Sequence, residues 1–175
     1  LGVPVNMIEG RRITDEKTLD IALMAYAGLT NKKIVAQLQS MDCNAMGITG
    51  ADANTIQAIK RPVKDIDYGL VGDIEAVNIS TISRFVENGI YPVFSALTHD
   101  GKGQMLNTNA DTIASTLAVF LSAIFEVTLI YCFEKEGVLS DINDENSLIE
   151  KITKKDYLKY KEENIIAEGM IPKLD

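Results

Sequence analysis

Strand-like and helix-like segments alternate along most of this chain, and this alternation limits the fold more than any other feature of the sequence. Apolar segments typical of buried strands occupy residues 44–49 and 90–97. Helical patterns occupy residues 14–39, 80–88 and about 109–124. Strands that alternate with helices at this spacing indicate an α/β fold with a mainly parallel sheet between helical layers.

Other segments predict the connections around this sheet. Residues 1–13 predict a short strand entering a loop. Residues 56–61 and 70–77 predict a β-hairpin. Towards the end of the chain, amphipathic helices are predicted near residues 147–152 and 153–163.

The run from residue 113 to residue 133 is apolar enough to raise the question of a membrane span. Glu126 and several Ser and Thr residues interrupt the run, and β-branched residues concentrate in its second half. We therefore predict a helix at about 109–124, followed by a buried strand at about 127–133. With no signal-peptide pattern at its start, the chain is expected to be a soluble, cytoplasmic protein that does not bind a membrane.

The helix predicted at 14–39 has Thr14 as its cap and acidic residues in its first turn. Its apolar residues fall into two stripes, one beginning at Leu19 and the other at Ile21. Two stripes predict a helix that is covered on two sides, and Gly28 permits the close approach of another backbone. The second cover is either another layer of the same fold or a partner subunit.

Charge and the scarcity of histidine and cysteine argue against several functions. A net charge of −8 and a pI near 4.7 argue against nucleic acid or an anionic membrane as the main partner. His99 is the only histidine, and Cys43 and Cys132 are far apart, so neither a His-based triad nor a zinc site is expected. Residues 141–152 begin like a calcium loop but lack its glycine and its final glutamate. No metal ligands are assigned.

A polar cluster of Asn107, Asn109 and Asp111 immediately precedes the apolar helix. Such a cluster suits a loop that leads into a helix N-terminus, where unpaired backbone N–H groups and the helix dipole favour anions. Asn109 is placed to cap the helix, which would leave Asn107 and Asp111 facing a cleft. The alternative is that Asn109 and Asp111 only cap and charge the start of the helix.

Five motifs occur in order along nearly the whole chain: Gly10-x-Arg12-Ile13-Thr14-Asp15, Gly47-Ile48-Thr49-Gly50-x-Asp52, Gly69-x-Val71-Gly72-Asp73, Asn107-Thr108-Asn109-Ala110-Asp111 and Gly169-Met170-Ile171-Pro172-Lys173. In this order they closely resemble the N-acetylglutamate kinases of the amino acid kinase family. The resemblance implies a three-layer α/β/α sandwich with a β-hairpin lid. It places residues 1–104 in an acyl-amino-acid-binding lobe and residues 105–175 in the first part of a nucleotide-binding lobe.

The implied reaction transfers a phosphoryl group from ATP, with Mg²⁺, to the side-chain carboxylate of an N-acyl-L-glutamate in arginine biosynthesis. The resemblance assigns substrate binding to Arg12, Asn107, Asn109 and Gly10. Arg12 offers a bidentate fork for a carboxylate. Arg11 stands where the family usually has an apolar residue, so we expect it either to reach solvent or to contact a second carboxylate on the acyl group. The substrate is accordingly N-acetyl- or N-succinyl-glutamate.

Asp111 and Lys173 are the catalytic residues that the resemblance implies. Asp111 would orient lysines that contact the phosphoryl group, and Lys173 would neutralise charge on that group. Gly137, together with Lys173, would bind the nucleotide. The family's usual Thr-Asp beginning of the loop at residues 133–139 is replaced by Phe-Glu in this sequence.

Family members begin upstream of Leu1 and continue past Lys173, so the resemblance implies a middle fragment of a longer chain. It also implies a homodimer, or a higher homo-oligomer, that uses the helix at residues 15–39. Two alternatives stay open: a sister kinase acting on another carboxylate or phosphate, and a non-catalytic ligand-binding module of the same fold.

Overall fold

The computed structural model describes residues 7–8, 11–132, 137–141, 143–144, 146–163, 165–166, 170 and 173. Two compact units make up the chain, Leu1–Val127 and Thr128–Asp175. The lobe boundary predicted between residues 104 and 105 is defined by ligand binding rather than by packing, and it stays a prediction.

Helices and strands alternate in the first unit. Its strands are β1 (Met7–Ile8), β2 (Arg11–Arg12), β3 (Ala45–Ile48), β4 (Ile56–Lys60), β5 (Gly72–Val77), β6 (Tyr91–Phe94), β7 (Leu97–His99) and β8 (Met105–Asn107). Its helices are α1 (Glu16–Ala22), a π-helical stretch (Leu23–Thr30), α2 (Asn31–Gln39), a 3₁₀ turn (Asp52–Asn54), α3 (Ile79–Glu87) and α4 (Ala110–Leu121). In the second unit, α5 (Lys154–Glu162) begins at a capping box formed by Thr153 and Asp156.

The main sheet has the strand order β5–β4–β7–β8. The pairs β4–β5 and β7–β8 are antiparallel, whereas β4–β7 is parallel. β3 and β6 form a separate parallel pair. Each antiparallel pair is joined by a loop, whereas each parallel pair has α3 between its strands, as parallel pairing requires a crossover. The predicted hairpin is confirmed as β4–β5.

The single strand predicted at 90–97 is two strands, β6 and β7, with a break at Ser95 and Ala96. The chain changes partner at this break, because β6 pairs with β3 and β7 pairs with β4. Ser95 N donates to Ile48 O at 2.8 Å, and Gly50 N donates to Leu97 O at 2.8 Å. A continuous apolar run gives no sign of such a change, since both halves have the composition of a strand.

Two hydrophobic cores lie on opposite faces of the main sheet. Gln57 of β4 is in register with His99 of β7, so Leu97 shares the face of Gln57 and Ile56 lies on the other face. The core on the α3 and α4 side consists of Ile56, Val77, Ile82 and Ile113. The core on the α1 side consists of Leu19, Ala22 and Leu97. This order of helix, sheet and helix confirms the predicted α/β class.

The helix predicted at 14–39 is continuous from Glu16 to Gln39, and its cap lies one residue later than predicted. Asp15, not Thr14, is the cap: its Oδ1 accepts from Thr18 N at 2.7 Å. Hydrogen bonds from Thr18 lower the pKa of Asp15 below its usual value. Thr14 is buried instead and takes part in a β-bridge to Gly69.

Both predicted apolar stripes on this helix have exposed members in the described chain. Leu19 and Ala22 are in the core, whereas Met24, Leu29 and Ile34 are 59%, 60% and 41% exposed. The intervening π-helical stretch adds a residue per turn, which rotates the following side chains away from the positions that a regular helix predicts. The expected second cover is therefore not supplied by the described part of this chain.

The predicted helix at 109–124 is confirmed as α4, but the buried strand predicted at 127–133 is wrong over its described part, 127–132. Ile130 is 75% exposed, and no described residue supplies the backbone hydrogen bonds that a strand needs. The helix predicted at 147–152 is also absent from the described residues of that range, where Leu148 instead forms an antiparallel bridge with Leu139. Within the described part of the chain, no helix combines the length and apolarity needed to span a membrane.

Candidate functional site

Three segments of the first unit meet beside the hairpin. Leu70 N donates to Thr14 O at 2.6 Å, and Asn107 N donates to Leu70 O at 2.9 Å. Parallel bridges pair Thr14 with Gly69 and Val71 with Asn107. We call this meeting point, formed by Thr14, residues 69–71 and Asn107, the strand junction. It joins the start of the helix at residues 16–39 to the hairpin loop and to the end of β8.

A side-chain hydrogen bond crosses the strand junction. Asn107 Nδ2 donates to Thr14 Oγ1 at 3.0 Å, although 93 positions separate the two residues. The Thr14 hydroxyl donates in turn to the carbonyl oxygen of Arg12 at 3.4 Å, a long hydrogen bond. Thr14 is fully buried, and Asn107 is half-buried. In the described residues, no donor reaches Asn107 Oδ1, which leaves this oxygen as an acceptor beside the junction.

Arg12 lies two residues before Thr14, in β2, and is half-buried. Its guanidinium makes no ion pair or hydrogen bond in the part of the chain that the structure describes. A half-buried cation of this kind is suited to an anion supplied from outside the chain. The Thr14 hydroxyl thus links Asn107 to the backbone of Arg12, and substrate binding by these two residues stays a prediction.

The hairpin beside the junction is braced by an ion pair. Arg61 Nη2 donates to Asp73 Oδ1 at 2.6 Å and Arg61 Nε donates to Asp73 Oδ2 at 3.2 Å, and the Arg61 guanidinium lies 5.5 Å from the centre of the Tyr68 ring. Tyr68 O accepts from Thr14 N at 3.0 Å. A bidentate arginine–carboxylate pair fixes orientation as well as distance, so it holds the end of the loop against Thr14.

Two glycines allow this close packing. Gly69 has a φ of +72°, and a Cβ there would collide with the carbonyl oxygen of Thr14. A Cβ on Gly72 would lie 2.7 Å from Thr108 Oγ1 and 2.9 Å from Thr98 Oγ1. Both glycines belong to a motif that the sequence singled out, and the structure gives each a steric reason.

The start of α4 carries the other two residues of the predicted polar cluster. Asn109 is the N-cap, and its Oδ1 accepts from Thr112 N at 2.9 Å, which confirms the predicted capping. Asp111 lies half-buried in the first turn of α4, where the helix dipole favours a negative charge. β8 and α4 thus place Asn107, Asn109 and Asp111 together at one turn of the chain. Binding of substrate by Asn109 stays a prediction.

The remaining predicted residues lie outside the described part of the chain or in the second unit. Gly10 and the side chain of Arg11 lie outside the described residues. In the second unit, Lys173 Nζ lies 5.8 Å from the centre of the Tyr131 ring. Gly137 lies against Leu148, because a Cβ on Gly137 would be 2.6 Å from Leu148 Cδ1. Nucleotide binding by Gly137 and Lys173 stays a prediction.

The His99 side chain belongs to the turn between β7 and β8. His99 Nδ1 accepts from Gly101 N at 3.2 Å, so its Nε2 carries the proton shared with Asn54 Oδ1 at 2.8 Å. Backbone N–H groups of Lys102 and Gln104 donate to Asp100 and lower its pKa. These contacts give His99 a structural role. Across the described residues, no group of three His, Cys, Asp or Glu side chains could hold a metal ion.

Sequence reasoning missed the role of Thr14 and the pairing of Arg61 with Asp73. Thr14 stands two residues after Arg12 in the first motif, but its position before an acidic turn favoured a helix cap. Nothing in local sequence connects it to Asn107, because only the folded chain brings them together.

Comparison with known proteins gives the same result as the motifs. The model of the family described as "Amino acid kinase family" matches residues 1–175. The acetylglutamate kinase of Bacteroides thetaiotaomicron is 54% identical over 175 residues, which are 100% of this chain and 68% of that protein. The acetylglutamate kinase of Phocaeicola vulgatus is 55% identical over 175 residues, with the same two coverages of 100% and 68%. The chain thus spans about two thirds of the length of these relatives.

A crystal structure of a protein from Streptococcus mutans UA159 matches 98% of this chain and 66% of its own, with a TM-score of 0.84 and 29% identity. A match of this coverage supports the same fold for nearly the whole of the described chain. Together with the family model and the two relatives, it shows that the chain belongs to the amino acid kinase family.

Proposed function

We propose that this chain is part of an ATP-dependent kinase that phosphorylates the side-chain carboxylate of an N-acyl-L-glutamate, a reaction of arginine biosynthesis. The observation that supports the proposal is the hydrogen-bonded connection from Asn107 Nδ2 through Thr14 Oγ1 to the Arg12 carbonyl, because it links two residues predicted to bind substrate. Relatives at 54% and 55% identity, each named acetylglutamate kinase, support the same substrate class.

The proposed reaction suits these residue types. A carboxylate oxygen of the substrate attacks the γ-phosphorus of ATP, a new O–P bond forms, the bond to ADP breaks, and the products are an acyl phosphate and ADP. The attacking carboxylate is already ionised, so no general base is needed. The protein must instead position two anions and neutralise their charge.

Arg12 would hold the α-carboxylate through two parallel hydrogen bonds. Asn107 Oδ1 would accept from the N–H of the acylated amine. Both contacts would be made with the amino-acid end of the substrate, so the side-chain carboxylate would remain available to react. Asp111 would orient lysines at the phosphoryl group, and Lys173 would neutralise its developing charge.

ATP is the phosphoryl donor of the proposed reaction, and Mg²⁺ accompanies it. Mg²⁺ keeps several waters and is often held by only one or two carboxylates together with phosphate oxygens. When bound, the ion would neutralise negative charge on the transferring phosphate. We assign acyl-amino-acid binding to residues 1–104 and nucleotide binding to the part that begins at residue 105.

The test uses the full-length enzyme with ATP, Mg²⁺ and N-acetyl-L-glutamate, with hydroxylamine trapping the acyl phosphate as a hydroxamate. We expect hydroxamate formation that depends on both substrates. Asp111→Asn and Lys173→Ala should lower kcat far more than they raise KM, because their interactions are made mainly in the transition state. Binding of both ligands without any hydroxamate would refute the kinase and favour a binding module.

The identity of the acyl group is a separate proposal that concerns Arg11. Its guanidinium would pair with a second carboxylate, and the substrate would then be N-succinyl- rather than N-acetyl-glutamate. A charge-assisted pair of this kind contributes about 10- to 100-fold in kcat/KM. The comparison is kcat/KM for the two substrates in the natural enzyme and in Arg11→Leu. Equal preference in both proteins would make Arg11 a surface residue.

We also propose a cytoplasmic homodimer or larger homo-oligomer whose interface uses exposed apolar residues of the helix at residues 16–39. Its support is the set of apolar side chains that the described chain leaves uncovered, Met24, Leu29 and Ile34. The acidic net charge of −8 supports a small-molecule enzyme rather than one that acts on nucleic acid or at an anionic membrane.

A further inference from the structure

We propose that Thr14 is a positioning residue for the acyl-amino acid and that it acts through Asn107. This inference rests on the proposed function. Thr14 does not itself contact the substrate in this scheme. Its hydroxyl sets the position of the Asn107 amide and ties it to the strand that carries Arg12.

The first step is the geometry of the hydroxyl. Thr14 is 0% exposed, so its hydroxyl has no access to water and must find partners inside the protein. The two partners are Asn107 Nδ2, which donates to it at 3.0 Å, and Arg12 O, which accepts from it at 3.4 Å. One buried hydroxyl therefore connects the backbone of the proposed carboxylate clamp with the side chain of the proposed amide contact.

The second step is the way the backbone fixes Thr14 itself. Thr14 N donates to Tyr68 O at 3.0 Å, and Thr14 O accepts from Leu70 N at 2.6 Å. Both its main-chain groups are thus bonded to the hairpin loop, and Leu70 O accepts in turn from Asn107 N at 2.9 Å. A side chain on a backbone held at this many points is a rigid support for Asn107.

The third step is the consequence for binding. With Nδ2 held by Thr14, the Asn107 amide presents Oδ1, and the substrate finds that acceptor already oriented. Without the hydroxyl, the amide is free to rotate, and binding must order it. Asn107 touches the amino-acid end rather than the reacting carboxylate, so the loss should appear in the ground state and the transition state alike. A uniform loss of binding raises KM and leaves kcat unchanged.

The experiment compares Thr14→Val and Thr14→Ser in the full-length enzyme. Thr14→Val keeps the shape and removes the hydroxyl, so we expect KM for the acylglutamate to rise about 5- to 30-fold, as for the loss of one hydrogen bond. The KM for ATP and kcat should stay within about twofold. Thr14→Ser restores the hydroxyl and should return KM to within about threefold of the natural value.

Thr55→Val is the matched control. Thr55 is also 0% exposed, and its hydroxyl donates to Thr49 O and Gly50 O at 3.2 and 3.3 Å. The other described hydrogen bonds of Thr55 are made by its backbone to Asp52 and Asn78, so none of its described hydrogen bonds goes to the strand junction. This variant reports the cost of losing a buried threonine hydroxyl without changing the junction.

A double-mutant cycle with Asn107→Ala tests the route of the effect. If Thr14 acts through Asn107, Thr14→Val should add no further increase in KM to the Asn107→Ala enzyme. Should Thr14→Val fail to fold, Thr14→Ala takes its place in the cycle, with Thr14→Ser as its hydroxyl-bearing counterpart. A full additional increase in the Asn107→Ala enzyme would overturn the proposal, as would equal effects of Thr14→Val and Thr55→Val on KM. Absence of kinase activity in the unmodified enzyme would instead refute the proposed function itself.

Discussion

At the scale of single residues, the polar groups of the candidate site differ in whether they find a hydrogen-bond partner inside the described chain. Asn109 is occupied by the cap of α4, and Thr14 by Asn107 and Arg12. In contrast, the Arg12 guanidinium and Asn107 Oδ1 make no hydrogen bond within the described residues. A half-buried polar group without a partner is costly unless a ligand or water completes it. These two groups are therefore the ones that we assign to the substrate.

Replacement of Arg12 by alanine tests the carboxylate clamp. We expect Arg12→Ala to raise KM for the acylglutamate about 10- to 100-fold, the effect of losing a charge-assisted hydrogen-bonded pair, with a smaller change in kcat. Arg12→Lys should recover only part of this loss, because an ammonium group keeps the charge but not the planar fork. Steady-state kinetics with each substrate varied separately measures both effects. A defect confined to KM for ATP would exclude Arg12 as the clamp.

Replacement of Asn109 separates its capping from substrate binding. Asn109→Ala should lower the free energy of unfolding by about 1 kcal/mol, because the N-cap hydrogen bond to Thr112 N is lost. Asn109→Ser keeps a good cap and should unfold at nearly the natural denaturant concentration. If Asn109 also binds substrate, Asn109→Ser should still raise KM for the acylglutamate. An unchanged KM in this well-capped variant would restrict Asn109 to its capping role.

At the scale of elements, the loop of the hairpin β4–β5 is hydrogen-bonded directly to the segments that carry Thr14 and Asn107. Arg61 and Asp73 close the loop, and residues 69–71 bond to Thr14 on one side and to Asn107 on the other. Gly69 makes this possible, since no side chain fits against the Thr14 carbonyl at that point. The loop thus serves as a spacer that sets the distance between the Arg12 strand and the end of β8.

Two glycines with nearly the same backbone conformation test this role. Gly69 and Gly89 have φ angles of +72° and +69°, but a Cβ on Gly89 would meet nothing within 4 Å. Gly89→Ala should lower the free energy of unfolding by about 1 kcal/mol, because alanine is disfavoured in a left-handed backbone conformation. Gly69→Ala adds a collision with the Thr14 backbone, so its cost should be larger by at least about 1 kcal/mol. Urea unfolding of both variants measures the loss in the free energy of unfolding. Equal losses would show that the strand junction accommodates the added methyl group.

At the scale of the whole molecule, the helix at residues 16–39 contributes to two surfaces. Leu19 and Ala22 are buried in the core, whereas Met24, Leu29 and Ile34 are exposed. Exposed apolar side chains gathered on one helix are typical of an interaction site. Gly28 lies on this part of the helix, and a Cβ there would meet only the Leu23 carbonyl, at 3.9 Å. The single chain therefore has space for a bulky side chain at position 28.

Replacement of Gly28 by leucine tests the proposed homodimer. In the full-length protein we expect Gly28→Leu to weaken association by at least about tenfold, because closely packed helix backbones cannot admit the side chain. The melting temperature measured at a concentration where the variant is monomeric should change little, since the single chain has room for the leucine. Sedimentation equilibrium measures the association constant. A natural protein that is monomeric at all concentrations would contradict the dimer.

The sequence by itself determined the features that depend on neighbouring residues. The alternation of strands and helices, the hairpin, and the cap of α4 by Asn109 follow from local patterns, because hydrophobic periodicity and capping operate within a few residues. The five motifs also identified the family, and they contain both Arg12 and Asn107, which are predicted to bind substrate. The sequence did not determine that Thr14 is a buried connector, since the local preference of threonine before an acidic turn is to cap a helix.

Only the tertiary structure decided which distant groups meet. It divided the apolar segment at 90–97 between two strand partners, paired Arg61 with Asp73, and placed the Thr14 hydroxyl under the Asn107 amide. It also left residues 127–132 without a strand partner in the described chain, although their β-branched composition favours a strand. The physical reason is the same in each case. A hydrogen bond between residues far apart in sequence depends on the path of the whole chain, and no local preference specifies that path.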